Sequence, residues 1–158
     1  MFDTEKRITQ QGLEESSARL VAAGTTIISA RGTVGNLAIA GQEMTFNQSC
    51  YGLCRNGTPG SCFIFLAAQH MVNTLQSIAH GSVFSTITRS TFDAILFPRP
   101  SDEVLQSFET LVTPIFAKIK ANVVETRTLT QTRDLLLPKL MSGEIRIKEA
   151  EKAVAEVA

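Results

Sequence analysis

One feature limits what this chain can become. Leu105, Phe108, Val112, Ile115, Ile119, Asn122, Thr126, Leu129, Arg133, Leu136 and Leu140 recur in steps of three and four. That spacing is a heptad seam, the apolar stripe of a helix that pairs with another helix. Ser101 precedes it as a helix N-cap, and Asp102 and Glu103 place negative charge in the first turn, where the helix dipole favours it. No glycine interrupts the run before Gly143, which suits a C-cap. About forty residues at 1.5 Å each span roughly 60 Å. A helix of that length cannot bury its stripe on a small domain along its whole course, so it needs a second helix beside it. Pro114 lies inside the run and should kink the helix or divide it into two stacked segments. Asn122, Thr126 and Arg133 make the seam polar towards its far end. Polar seam positions fix register and partner at a cost in stability.

The chain changes character at Pro98. Ahead of it, Thr9 is a plausible cap for a short helix over Gln10–Leu20. Ile27–Ser29 and Leu37–Ile39 are β-forming runs, with Gly32 and Gly35 bracketing the turn between them. Glu43–Cys54 holds a further strand, Arg55–Ser61 is a loop rich in breakers, and Phe63–Ser77 has helical periodicity. Phe84–Pro100 reads as one or two strands ending at two prolines. The expected fold is α+β: a small domain with a twisted sheet and short helices over 1–98, a long coiled-coil-like helix over 99–143 kinked near Pro114, and a tail over 144–158.

Fifteen Lys and Arg balance fifteen Asp and Glu in 158 residues, so the net charge is zero. A lone protein that holds nucleic acid by bulk attraction needs an excess of cations, and this chain has none. A subunit whose partners supply that charge stays open. At 44% hydrophobic and 19% charged, the composition suits a buried core. Apolar runs are too short for a transmembrane helix, and the first residues have no signal-peptide pattern. The expectation is a soluble, cytoplasmic chain with reduced thiols at Cys50, Cys54 and Cys62.

Few residues offer chemistry. Cys50, Cys54, Cys62 and His70 invite a zinc reading, but their spacing matches no common ligand pattern, and no metal site is expected. His70 and His80 are the only histidines, and no motif positions either as a general base. Arg31 stands between Ala30 and Gly32 in "ISARGTVGN". It fits a phosphate contact, a base contact or plain turn chemistry. In "FNQS", Asn47 and Gln48 are able to pair with adenine or to bond loop backbone. "RDLLLPKLMSGEI", Arg133 to Ile145, reads as a helix terminus or as a docking stretch more apolar than a solvated end requires.

These residues resemble the specificity subunits of Type I restriction–modification systems. The ending "RDLLLPKLMSGEI" is similar to the ending of that family. "GTTIISARGTVGNLAIAG" followed by "NQS" resembles the middle of its target recognition domain. "GSVFSTITRSTFDAILFPRPS" resembles the domain's end, and "ITQQGLEESSARLVAAGT" the stretch ahead of it. The likeness runs in order from Ile8 to Ile145.

The resemblance implies a non-catalytic chain that reads one half of a bipartite site in double-stranded DNA. It implies methyltransferase subunits docked on the helix and restriction subunits in the full complex, a site-specific deoxyribonuclease and adenine methyltransferase. S-adenosylmethionine, ATP and magnesium would belong to those partners, and this chain would hold no cofactor. A full family member has two recognition domains, each with its long helix, so one unit here implies a half-subunit truncated within its domain. On this basis Arg31, Thr33, Asn47 and Gln48, with Ser82 and Arg89 as weaker members, are the expected DNA-binding residues. Leu105, Phe108, Val112, Ile115, Ile119, Leu129, Leu136 and Leu140 are the expected helix-pairing residues, making an antiparallel homodimer of the isolated chain. Two competing readings are a coiled-coil scaffold or remnant that binds only protein, and a small metal enzyme built on the cysteines and His70.

Overall fold

The computed structural model describes residues 1–80, 86–97 and 100–156. The element order is α1 (Gln10–Glu14), β1 (Thr26–Ser29), β2 (Leu37–Ile39), β3 (Cys50–Leu53), α2 (Cys62–His80), α3 (Arg89–Asp93), α4 (Asp102–Ser142) and α5 (Ile147–Ala155). Two compact units divide the chain, Met1–Val112 and Thr113–Ala158, with the division inside α4.

In the first unit the three strands form an antiparallel sheet in the order β2-β1-β3. The central strand pairs Ile28 with Leu37 on one side and with Tyr51 on the other. Thr26, Ile27 and Ile28 are all buried, as suits a β-branched run in a middle strand. Ile28 meets Leu75 of α2 and Ile87 in the core, both fully enclosed, with Ala30 and Val34 completing it. Tyr51 and Phe92 close one side edge-to-face, ring centres 5.8 Å apart. Past β3 the chain reverses through Asn56 and Gly57, both left-handed, with Arg55 and Thr58 exchanging backbone hydrogen bonds at 3.2 and 2.7 Å.

Two expectations need correction. The first helix stops at Glu14, not Leu20, because the Ser16 hydroxyl accepts the Ala18 N–H and Val21 is drawn into a bridge with Met44. Thr9 does cap it, accepting from the Gly12 N–H at 3.0 Å. Residues 89–93, expected as strand, form α3. Its N-terminus is held by the Thr88 N–H donating to Thr91 Oγ1 at 3.0 Å, and Thr91 is buried. Side-chain capping and the inward packing of Phe92 outweigh the β preference of this Thr- and Ile-rich stretch. The boundary drawn at Pro98 lies outside the described residues.

The long helix is continuous from Asp102 to Ser142, with Pro114 and Pro138 inside it. Each proline removes one N–H from the ladder, yet neither divides the helix into stacked segments. Ser101 serves as the expected start, its carbonyl accepting the Leu105 N–H at 3.0 Å. Gly143 ends the helix in the left-handed region at φ +74. Its N–H reaches the Leu140 carbonyl at 3.2 Å and the Glu144 N–H the Lys139 carbonyl at 2.9 Å, the paired bonds of a Schellman end. In the second unit α5 follows within the stretch read from sequence as a tail.

Candidate functional site

Three separate loops are tied to one residue, Ala30, where β1 leaves the sheet. Its N–H donates to the Ser49 carbonyl at 2.7 Å. Its own carbonyl accepts the Ile87 N–H at 3.0 Å. The segment after Ala30, the turn before Ser49 and the approach to α3 therefore meet at one end of the sheet.

The first loop is Arg31–Gly35. Ser29 clamps its base: its N–H donates to the Asn36 carbonyl and its carbonyl accepts the Gly35 N–H, both at 2.9 Å. The Ser29 hydroxyl donates to the Thr33 carbonyl and accepts the Asn36 N–H. Val34 turns inward to the core, and its carbonyl accepts from Gln76 Nε2 of α2 at 2.8 Å. Gly35 sits at φ +93, and a Cβ there would lie 2.9 Å from Gln76 Nε2 and 3.0 Å from Val72 Cγ1. Only glycine fits so close to α2 in that conformation. With both ends fixed, Arg31 and Thr33 face solvent.

The second loop is a short turn organised by Asn47. Its Oδ1 accepts the Ser49 N–H at 2.9 Å and its carbonyl the Cys50 N–H at 3.2 Å. This turn starts β3 opposite Ser29. Asn47 and Gln48 are exposed, and the Asn47 side chain keeps its two N–H donors for other use. Arg89, the first residue of α3, is exposed on the third segment.

Five of the six residues expected to face DNA are thus brought to one end of the sheet by backbone connections. Ser82 lies outside the described residues. Among the described residues, neither Arg31 nor Arg89 has an ion-pair partner, whereas Arg7 is paired with Asp3 and Arg55 with Asp102. The segments gathered at Ala30 thus carry two guanidinium groups without an ion pair and two amides, all of them exposed donors. Such donors suit phosphate oxygens and the acceptor edges of bases.

The seam residues divide by place. Leu105 is buried in the first unit, and the Phe108 ring meets Phe63 edge-to-face at 6.0 Å. Val112 is half-buried, while Ile115 and Ile119 are exposed. Leu129, Leu136 and Leu140 line a groove with α5 in the second unit.

Sequence reasoning missed Glu109, on the face of α4 beside Phe108. Its carboxylate accepts from Ser61 Oγ at 2.6 Å, Cys62 N–H at 3.1 Å and Phe63 N–H at 3.0 Å, closing the N-terminus of α2. Burial pushes this carboxyl up, but the bonds from Ser61, Phe63 and Cys62 outweigh it and hold the group below the usual glutamate range.

Cys50 is half-buried, Cys54 exposed and Cys62 buried, all as free thiols, and His70 is exposed on α2. Burial pushes the Cys50 thiol up, away from the thiolate form. No group of three His, Cys, Asp or Glu side chains among the described residues is able to hold a metal ion. No helix among them is long and apolar enough to cross a membrane.

The fold is a small α+β module continuous with one long helix, with exposed hydrogen-bond donors on the loops at one end of its sheet. The chain belongs to the family of the Type I restriction modification DNA specificity domain, whose model matches residues 2–120. It is similar to the Type I restriction enzyme HindI specificity subunit of Haemophilus influenzae, 29% identical over 145 residues. That alignment covers 90% of this chain and 32% of the relative. The Type I restriction enzyme MjaIX specificity subunit of Methanocaldococcus jannaschii is 29% identical over 110 residues, or 68% of this chain and 26% of that one. The chain therefore spans about a third or less of the length of these relatives.

Proposed function

We propose that this chain is a non-catalytic DNA-reading module of a Type I restriction–modification system, recognising one half of a bipartite site. The observation that carries the reading is the convergence at Ala30 of the loops bearing Arg31, Asn47–Gln48 and Arg89. Membership of the DNA specificity family and the names of the two relatives support it. Arg31 donates to phosphate or to the O6/N7 edge of guanine, Asn47 and Gln48 bond base edges, and Thr33 and Arg89 hold the backbone.

A chain of zero net charge has little non-specific hold on DNA. Methyltransferase subunits docked on the helix supply that hold, and restriction subunits complete the assembly. S-adenosylmethionine, ATP and magnesium are the business of those partners. In isolation the chain pairs with a second copy through its helix, giving two readers related by a dyad and a preference for inverted repeats.

The test is DNA binding by the chain assembled with its methyltransferase subunits, followed by fluorescence anisotropy on randomised sites. Arg31→Ala should cost about 1–3 kcal/mol at one position of the preferred site. Arg89→Ala should weaken all sequences alike and lower the salt slope by about one. Unchanged affinity and unchanged site preference with Arg31→Ala would overturn the assignment.

A further inference from the structure

Charge is spread unevenly over the first unit. From Met44 to Phe92 the sequence has no Asp or Glu, and all fifteen of the chain's acids fall on either side of that stretch. Its Lys and Arg side chains are Arg55 and Arg89 alone. Helix α2 lies wholly within it and carries no Asp, Glu, Lys or Arg. A surface helix ordinarily sets charged groups on its outward face. Here that face is Gln69, His70, Asn73, Thr74 and Ser77, all exposed. Bulk water accepts carboxylates on such a face, whereas a phosphate backbone repels them.

The same face adjoins the first loop. Gln76 Nε2 holds the Val34 carbonyl at 2.8 Å, and Val72 and Gln76 press on Gly35. Asn73 lies three residues before Gln76 and Gln69 four before Asn73, so the row is continuous along the helix surface. Among the described residues the Gln69 and Asn73 side-chain amides make no hydrogen bond, which leaves their donors free.

We infer that α2 is a further part of the DNA contact, its Gln69–Asn73 row lying along the phosphate backbone beside the groove that the loops enter. The inference rests on the DNA reading proposed above and adds to it an element outside the three loops. Gln and Asn bond phosphate oxygens through neutral N–H donors, positioning the duplex without naming a base. A neutral donor displaces no counterion, so the contact adds affinity without steepening the salt dependence. In a chain of zero net charge, hydrogen bonds of this kind supply hold in place of cations.

The test is fluorescence anisotropy of the full chain assembled with its methyltransferase subunits, across a salt series. One duplex bears the preferred site and a second has unrelated sequence. Asn73→Ala, which also favours helix, should weaken binding to both duplexes by about three- to tenfold with the salt slope unchanged. Asn73→Lys should tighten both and steepen the slope by about one, a gain that misfolding cannot produce. Gln106→Lys, exposed on α4 outside the acid-free stretch, should do neither. Asn73 variants that bind like the wild type, while Arg31→Ala relaxes the site, overturn the α2 contact and leave the loop reading standing. An equal gain from Gln106→Lys also overturns it, since net charge would then act wherever it is placed. A loss confined to subunit assembly, measured by sedimentation, overturns it by assigning the face to a protein. If Arg31→Ala is silent as well, the loop reading falls together with this inference.

Discussion

The two units of this chain treat the same apolar residue types in opposite ways. In Met1–Val112, Ile28, Leu75 and Ile87 are fully enclosed. In Thr113–Ala158, Ile115, Leu135, Met141 and Ile147 face outward, and Ala150 is the one buried apolar residue among those described. The difference is architectural. A sheet with a helix laid across one face can close a core within a hundred residues. A long helix presents one stripe and must find another body to cover it. The first unit closes a core of large apolar side chains; among the described residues of the second, no such side chain is buried.

That contrast can be broken by substitution. Leu75→Ala should destabilise the first unit by about 2–5 kcal/mol, measured by chemical denaturation, because it empties a fully buried site. Ile115→Ala should leave the same transition within about 0.5 kcal/mol. Equal effects would erase the distinction between the units. Gly35→Ala should cost about 1–3 kcal/mol, since it forces a side chain into a left-handed turn and against Gln76.

Glu109 sharpens the comparison, because it ties the start of α4 into the first unit. Glu109→Ala should lower that unit's stability by about 0.5–2 kcal/mol through loss of the cap on α2. The carboxyl is held below its unfolded value, so its contribution is complete above the ordinary glutamate range and disappears as the pH falls through the lower folded value. Denaturation at descending pH should show this acid-side loss in the wild type and a smaller one in the Ala variant. Little is expected of Arg55→Ala, which breaks an exposed pair with Asp102 and should change stability by about 0–1 kcal/mol.

Much of this architecture was legible in the residues. The β-branched run at Thr26–Ser29, the glycines around the following turn and the heptad seam each carry a local period that survives folding. Residues 89–93 misled because they sit in a Thr- and Ile-rich run that favours strand in isolation, whereas here a threonine cap and a partly buried phenylalanine decide. The short α5 has only Ile147, Ala150 and Val154 to mark its face, too few to stand out from a tail. Arg31 and the Asn47–Gln48 pair could be named singly, but their meeting depends on the β1–β3 register, which no neighbouring residue encodes. Glu109 carried no signal, since an acid on a helix face looks the same whether it meets water or another helix's first turn.

Because the knot at Ala30 is made of main-chain atoms, it draws nothing from the exposed side chains at the tips of the three segments it gathers. Positions 31, 33, 48 and 89 are free to be rewritten without disturbing the frame that aims them. A population of such modules would then diverge in what they prefer while remaining interchangeable in how they are built. New preferences would arise by exchanging a few tips on an unaltered mount.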